Sequence, residues 1–277
     1  MGKLYVVGTP IGNLGDFSPR AAETLSAVDF IAAEDTRVTA KLLNHFGIKR
    51  PMVIYQKFNE REQGEAIVAR LLAGESCAVV TDAGMPCISD PGETLVSLCA
   101  GAGIPIEAVP GPSALVTALA VSGLSVSRFT FEGFLSVKHS SRMEHLHSLI
   151  HEHRTMVFYE APHKLLSTLR DMYAVLGDKD VVLVRELTKI HEAVWRGTLS
   201  EAVAYHEANP PKGEYVLILG GMPEEESSDP LEDAVALARK LTEEENMPLS
   251  AAAREAAKLS GCAKGEIYQA LLAERKE

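Results

Sequence analysis

The 277-residue sequence lacks the cysteine pattern of a zinc site or of a disulfide framework. Its cysteines are scattered, and none belongs to a C-x-x-C pair; they are Cys77, Cys87, Cys99 and Cys262. Reduced thiols in a cytoplasmic protein are therefore expected.

The chain also lacks any apolar run near the ~20 residues that span a bilayer, so no membrane contact is expected. The N-terminus leads directly into a strand-like run, and no signal peptide is predicted.

Positive charge is also scarce in this sequence. Lysine and arginine total 27 against 38 aspartate and glutamate residues, a formal net charge of -11. Such a balance argues against nucleic-acid binding driven by overall charge. A nucleic-acid substrate would have to meet a local basic surface, or be presented within a larger assembly.

Short apolar runs alternate with stretches of helical periodicity through the N-terminal part of the chain. Predicted strands span 4–8, 30–34, 52–56, 77–82 and 104–110, and predicted helices span 19–28, 37–46, 62–73 and 93–102. Strands that are apolar on both faces are typical of a parallel sheet covered by helices. We therefore predict an α/β domain with a mostly parallel sheet over residues 1–122.

The next part of the chain has more predicted strands per predicted helix than the N-terminal part. Strands are predicted at 129–135, 155–161, 181–187, 192–197 and 214–221, which favours a mixed sheet in a second α/β domain over residues 123–222. An acidic linker is predicted at 223–230, and a small helical extension at 231–277. Its last two helices are joined by a glycine turn, as in a helix-turn-helix. Because the extension is not basic, a packing or dimerisation role stays open beside nucleic-acid binding.

The stretch VVTDAGMPCISDPG, at residues 79–92, follows the fourth predicted strand. Ligands of open α/β sheets bind at the carboxyl ends of strands. Its prolines restrict the backbone and its glycines permit close approach, so we expect one rigid wall of a ligand pocket. Asp82 is the predicted ligand contact, whereas Asp90 precedes a helix and is predicted to cap it.

Carboxylates and cations also occur together after other strands. Glu34, Asp35 and Arg37 form one such group, Glu160 belongs to a second, and Arg185, Glu186 and Lys189 form a third. Exposed ion pairs explain any one group, but three groups favour a polar cleft between two sheets.

Five of the nine histidines lie within residues 138–153. A solvated helix is favoured over a metal site there, and no metal is predicted.

Seven ordered motifs resemble one known family. They are GTPIGN at 8–13, AEDTR at 33–37, TDAGMP at 81–86, SDPG at 89–92, PGPSA at 110–114, FYEAPH at 158–163 and RELTK at 185–189. Their order resembles the tetrapyrrole methylase superfamily, in its branch of bacterial ribosomal RNA 2′-O-methyltransferases. Corrin and porphyrin methylases commonly carry Gly-Gly-Asp-Pro where this chain has Ala83-Gly84-Met85-Pro86, and this departure favours the RNA branch.

The resemblance implies two α/β domains, a helical extension, a homodimer, and S-adenosyl-L-methionine as methyl donor with no metal. The implied activity is 2′-O-methylation of a cytidine ribose in the decoding region of 16S rRNA, with a partly assembled small ribosomal subunit as the expected substrate. Donor contacts carried over by motif are Thr9, Pro10, Gly12, Asp82, Ala83, Gly84, Met85, Ile88, Ser113, Ala114, Tyr159, Glu160, Glu214 and Tyr215.

A 2′-hydroxyl is a weak acid, so transfer of a methyl group to it benefits from a nearby base. Glu34, Asp35, Glu160 and Glu186 are the candidates, and Arg37, Arg185 and Lys189 are predicted to hold flanking phosphates. Three alternatives stay open: a tetrapyrrole C-methyltransferase, a module that binds S-adenosylmethionine without catalysis, and a nucleotide hydrolase. The absence of a Gly-Lys-Ser/Thr sequence from the first glycine loop argues against the last.

Overall fold

In the computed structural model the described residues are 2–222, 230–244 and 247–274. The chain divides into two compact units, Met1–Gly221 and Met222–Glu277, and both sheets belong to the first. The predicted boundary between residues 122 and 123, inside the first unit, stays a prediction. Except for residue 230, the predicted acidic linker at 223–230 lies outside the described residues.

The first sheet is a five-stranded parallel sheet in the order β3-β2-β4-β1-β5. Its strands are β1 Leu4–Val7, β2 Phe30–Ala33, β3 Met52–Ile54, β4 Cys77–Val80 and β5 Ile106–Val109. Every residue of β2 and β4 is buried, because helices cover both faces of the sheet. The predicted parallel sheet is confirmed, and all five strands lie where the apolar runs predicted them.

Helices connect these strands, and local sequence fixes where they begin. They are α1 Pro19–Ala27, α2 Thr36–His45, α3 Glu60–Leu72, α4 Glu93–Gly101 and α5 Ala114–Ser122. The Ser18 hydroxyl accepts a hydrogen bond from Ala21 N–H, and Pro19 occupies the first helical position. Helix α4 begins differently from our prediction. Its N-cap is Gly92 with φ 138°, so Asp90 does not cap it.

The second sheet is mixed and has the strand order β6-β7-β10-β8-β9. Its strands are β6 Phe129–Phe134, β7 Thr155–Glu160, β8 Asp180–Arg185, β9 Ala193–Thr198 and β10 Tyr215–Leu219. Strands β6 and β7 are parallel, and the other neighbouring pairs are antiparallel. The prediction of a mixed second sheet is therefore confirmed.

Three helices, α6 His139–Ser148, α7 Pro162–Leu176 and α8 Leu199–Ala208, belong to the second sheet. Helix α6 ends at Ser148. The next residue, Leu149, donates its N–H to Leu146 O at 3.1 Å, and its side chain is buried in the apolar cluster of the second sheet.

Helix α5 follows the last strand of the first sheet but packs against the second sheet. Its Ala118 and Leu119 are buried in one apolar cluster with Val182 of β8 and Val216 of β10. The first sheet has its own clusters on its two faces. The chain after β5 is thereby held to both sheets, which positions the cavity described below.

The second unit contains α9 Pro230–Glu244, α10 Leu249–Ser260 and α11 Lys264–Glu274. Small side chains allow its helices to pack closely, since Ala238, Ala252 and Ala256 are fully buried beside Ile267. Gly261 ends α10 in a left-handed conformation with φ 75°, as the sequence predicted for the turn between the last two helices. Among the described residues, no helix combines the length and apolar character that crossing a membrane requires.

Candidate active site

The carboxyl ends of the first-sheet strands open onto a cavity of about 430 Å³, and the second sheet forms its opposite wall. This size is within the range of small-molecule sites. Predicted site residues in the lining are Glu34, Asp82, Ala83, Gly84, Met85, Ile88, Ser113, Ala114, Tyr159, Glu160, Lys189, Glu214 and Tyr215. Predicted residues outside the lining are Thr9, Pro10, Gly12, Asp35, Arg37, Arg185 and Glu186.

The β4–α4 loop, Thr81–Gly92, forms one rigid wall of the cavity. Thr9 N–H donates to Gly84 O at 2.9 Å, and Gly84 N–H donates to Thr9 O at 3.1 Å, so the loop is fastened to the end of β1. Cys87 and Ser89 have φ values of 74° and 66°, a conformation that L-residues adopt at a cost. Thr9 therefore stabilises this wall without lining the cavity.

Three carboxyl groups, those of Glu34, Asp82 and Asp90, line the same cavity. Glu34 follows β2 and its Oε2 accepts a hydrogen bond from Asp82 N–H at 3.2 Å. Burial raises the pKa of Glu34, and the neighbouring Asp82 and Asp35 carboxylates add to the rise against the effect of that hydrogen bond. Burial likewise raises the pKa of Asp82. This part of the site therefore carries surplus negative charge.

Asp90 has a different position from the one its sequence predicts. We expected a helix cap, but its side chain lines the cavity instead. Burial, together with the charges of Glu34 and Asp82, raises the pKa of Asp90 to about 6. Asp90 is thus a third member of the acidic group, and a carboxyl whose protonation changes near neutral pH.

Asp35, beside Glu34 in sequence, has a different role. It is the N-cap of α2: its Oδ1 accepts from Arg37 N–H at 2.8 Å, and its Oδ2 pairs with Arg37 Nη2 at 2.6 Å. The bonds from Arg37 hold the pKa of Asp35 at about 2, which makes it a poor proton acceptor. Asp35 N–H also donates to Asp82 Oδ1 at 3.2 Å and orients that carboxylate.

The Glu160 carboxylate, at the end of β7, is held by helix α7 and the residue that precedes it. It accepts from Thr168 Oγ1 at 2.6 Å and from Ala161 N–H at 2.8 Å, and it pairs with Lys164 Nζ at 2.8 Å. Its side chain is 1% exposed. With these partners Glu160 stabilises the start of α7, and little of it is accessible to a substrate.

Lys189 reaches the cavity from the second sheet but is already paired. Its Nζ lies 2.9 Å from Glu186 Oε1 and 2.8 Å from Glu214 Oε2. Burial opposes the charge, but these carboxylates raise the pKa of Lys189 overall. Hydrogen bonds from Glu214 N–H and Lys189 lower the pKa of Glu186. Gly12 packs here, because a Cβ on it would lie 2.5 Å from Lys189 Cγ.

Two family models match the chain. One, described as Tetrapyrrole (Corrin/Porphyrin) Methylases, matches residues 3–203. The chain belongs to the tetrapyrrole methylase family. The second model, described as RsmI C-terminal HTH domain, matches residues 228–276.

Relatives within this methylase family share most of the chain. The protein named ribosomal RNA small subunit methyltransferase I of Synechocystis sp. is 46% identical over 270 residues, which is 97% of each chain. The protein of that name from Escherichia coli O157:H7 is 44% identical and covers 97% of this chain and 94% of its own. The one from Thermotoga maritima is 49% identical over 221 residues, 80% of this chain and 99% of its own.

Solved tetrapyrrole methylase structures share the fold of the first unit. Uroporphyrin-III C-methyl transferase from Thermus thermophilus, complexed with S-adenyl homocysteine, aligns with a TM-score of 0.56 at 20% identity. The alignment covers 79% of this chain and 97% of that one. Cobalt precorrin-4 methyltransferase aligns with a TM-score of 0.57 at 20% identity, over 79% of this chain and 94% of its own. The predicted fold class is confirmed.

Several residues that line the cavity of this methylase were not predicted from its sequence. Tyr159 was predicted from its motif; its hydroxyl accepts from Leu115 N–H at 3.0 Å, and its ring contacts Phe134, which was not predicted. The other missed residues are Ile11, Ser89, Asp90, Ala161, Val184, Leu187 and Val216. Five of them, Ile11, Ser89, Asp90, Ala161 and Leu187, lie within quoted motifs, and that position was the available signal. Phe134, Val184 and Val216 belong to strands and gave no further signal.

The histidine-rich segment of the methylase does not gather into a ligand set. Helix α6 ends at Ser148, so His147 and His151 do not share a helix face, and His145 pairs with Glu132 at 2.8 Å. Throughout the described residues, no three His, Cys, Asp or Glu side chains are arranged to hold a metal ion.

Proposed function

We propose that this methylase transfers a methyl group from S-adenosyl-L-methionine to the ribose 2′-oxygen of a cytidine in the decoding region of 16S rRNA. One observation supports an RNA substrate: relatives matching 97% of the chain at 46% and 44% identity bear the name ribosomal RNA small subunit methyltransferase I. The cytidine and the 2′-oxygen are part of the proposal.

The chemistry of the cavity fits this methyl donor, which supplies an electrophilic methyl group on a sulfonium cation. Carboxylates of Glu34, Asp82 and Asp90 favour a positively charged ligand, and Lys189 is the only lysine or arginine among the described lining residues. Apolar side chains, among them Met85 and Ile88, provide contact area for an adenine ring. An anionic nucleotide phosphate would be repelled, which disfavours a nucleotide hydrolase. We place the donor along Asp82–Ile88, Ser113–Ala114, Tyr159 and Glu214–Tyr215.

We propose Glu34 as the group that takes the proton from the 2′-hydroxyl. Of the four carboxylates predicted as bases, Asp35 caps a helix, Glu160 is held by three donors, and Glu186 has a lowered pKa. Glu34 lines the cavity, and its pKa is raised. A raised pKa makes its carboxylate a better proton acceptor near neutral pH.

The substrate is proposed to be a partly assembled small ribosomal subunit, acted on in the cytoplasm by a homodimer. A chain of net charge -11 has little general attraction for naked RNA. An assembled subunit supplies the shape and protein surfaces that position one ribose in the cavity. Recognition of one nucleotide in irregular RNA matches how proteins read RNA sequence.

The decisive experiment incubates the purified full chain with radiolabelled donor and small ribosomal subunits, then maps the methylated nucleotide by mass spectrometry. A single 2′-O-methylcytidine in the decoding region is expected, with weaker labelling of free 16S rRNA. Methylation of a base, of a different nucleotide, or only of an added tetrapyrrole would overturn the proposal. Equal labelling of free RNA and subunits would overturn only its assembly-state part.

A further inference from the structure

The segment that follows β3 forms a tight, self-supported turn, Gln56–Asn59. Asn59 N–H donates to Gln56 O at 2.9 Å, and Gln56 N–H donates to Asn59 Oδ1 at 2.7 Å. Lys57 and Phe58 occupy its tip. Two reciprocal hydrogen bonds fix the turn, so what it presents is held in place before any partner binds.

Phe58 at this tip is 100% exposed. Exposed apolar side chains are common on proteins, but a fully exposed phenylalanine at the tip of a fixed turn makes no contribution to the core. Gln56 and Lys57 beside it are exposed as well. The turn therefore offers one aromatic face with a cation and an amide next to it.

The turn lies on the same edge of the molecule as the cavity. Strands β3, β2 and β4 are adjacent and parallel, so their carboxyl ends share one edge. The Gln56–Asn59 turn follows β3, Glu34 follows β2 and Asp82 follows β4. Neighbouring strands are separated by about 4.8 Å, which puts the end of β3 on the order of 10 Å from the end of β4.

A side chain at the base of the turn ties it to the wall of the cavity. Glu60 Oε1 accepts from Gly92 N–H at 3.1 Å, and Glu60 Oε2 accepts from Thr94 Oγ1 at 2.9 Å. Gly92 ends the β4–α4 loop, two residues after Asp90. The position of Phe58 is therefore coupled to the wall that carries the acidic group.

We propose that Phe58 is a stacking platform for the base of a nucleotide beside the methylated one in single-stranded RNA, with Lys57 facing the adjoining phosphate. This inference rests on the proposed function. Aromatic side chains stack on unpaired bases, and nearby cations follow the backbone. Lys57 is exposed at the tip, whereas the Glu60 carboxylate is bonded to Gly92 and Thr94 and Arg61 pairs with Glu65, so Lys57 is the cation that the turn offers to an RNA phosphate.

The test compares variants in steady-state methylation of small ribosomal subunits, with donor affinity measured separately by calorimetry. F58A is expected to raise KM for subunits by at least about fivefold, the lower end of the effect of losing one stacked base. F58W is expected to retain wild-type KM, because indole also stacks. The matched control is L72A, which removes a 52% exposed side chain at the far end of α3, the helix that follows the turn. Both KM and donor affinity are expected to stay unchanged in L72A.

Different failures point to different causes. Wild-type chain that labels no small-subunit RNA contradicts the proposed function itself. Active wild type with an unchanged F58A contradicts the stacking proposal alone. A change of oligomeric state in F58A, measured by light scattering, would assign Phe58 to self-association and overturn the stacking role. Weaker donor binding in F58A, measured by calorimetry, would assign Phe58 to the donor pocket and likewise overturn it.

Discussion

Glu34 lies at the end of a fully buried strand, where the fold fixes its backbone and the cavity surrounds its carboxyl group. We predict that E34Q lowers the methyl-transfer rate by about 10²- to 10⁴-fold, the usual contribution of a positioned acid or base. Donor affinity should fall far less than the rate, because Glu34 is one of three carboxylates that favour the sulfonium cation and glutamine keeps the side-chain shape. Single-turnover kinetics and calorimetry measure the two quantities separately.

The matched control for E34Q is D35N at the next position. Asparagine also caps helices, so D35N should keep both stability and transfer rate. D35A should lose about 1 kcal/mol of unfolding free energy by removing the cap, with little change in the rate of the folded enzyme. A normal rate in E34Q, or a lost rate in stable D35N, would move the base from Glu34 to its neighbour.

Asp90 gives a prediction on stability and pH. Its pKa in the folded protein is about 6, above the ordinary 3.8, so the folded state binds the proton more tightly. The contribution of Asp90 to stability is full at low pH and is lost as pH rises from about 4 to about 6. D90N removes the charged form, so it should stabilise the protein by about 1 kcal/mol at neutral pH after solvent screening.

Thermal unfolding of wild type and D90N across this pH range measures that effect. The difference in melting temperature should be smallest near pH 4, grow up to about pH 6 and then level off. A difference that does not depend on pH would mean that the amide stabilises through packing or hydrogen bonding, and that the charge of Asp90 is tolerated.

At the scale of elements, the loops after β1 and β5 touch backbone to backbone. A Cβ on Gly8 would lie 2.7 Å from Gly111 Cα and 2.7 Å from Met85 Sδ. We predict that G8A destabilises the fold by about 1–3 kcal/mol, because neither backbone can move without disturbing its strand. Urea unfolding of G8A and of wild type measures this loss of unfolding free energy.

Gly101, the last residue of α4, is the control for G8A. A Cβ there meets no atom within 4 Å, so G101A should stabilise the protein by about 0.5–1 kcal/mol through its better helix propensity. Comparable destabilisation in both variants would contradict the close approach of the loops.

Apolar patterning predicted the sheets well because burial on both faces leaves a local mark in each strand. Helix α5 left no such mark: ALVTALAVS is apolar almost throughout, and its packing against the second sheet depends on contacts distant in sequence. Asp90 is similar, since it lies in a loop where Cys87 and Ser89 adopt left-handed φ values that the sequence does not indicate. Motif order located most of the cavity wall, but the separate roles of Glu34 and Asp35 depended on a capping geometry that neighbouring residues do not reveal.

At the scale of the whole molecule, the two units differ in what the proposed chemistry requires. Every residue that lines the cavity lies within Met1–Gly221. The second unit, Met222–Glu277, has its own apolar cluster. The Thermotoga maritima relative matches over 221 residues, which is 99% of its own length. A methylase of about the size of the first unit alone therefore exists among the relatives.

We predict that a chain ending at Gly221 folds and binds S-adenosylmethionine with the affinity of the full chain, because its sheets, cavity and acidic group are complete. Circular dichroism with thermal unfolding tests folding, and calorimetry tests donor binding. Methylation of small ribosomal subunits by the same shortened chain then measures the contribution of the helical extension: a raised KM at an unchanged donor affinity would assign it to substrate contact. Loss of cooperative unfolding or of donor binding would show instead that the extension supports the first unit, contrary to the separate cores of the two units.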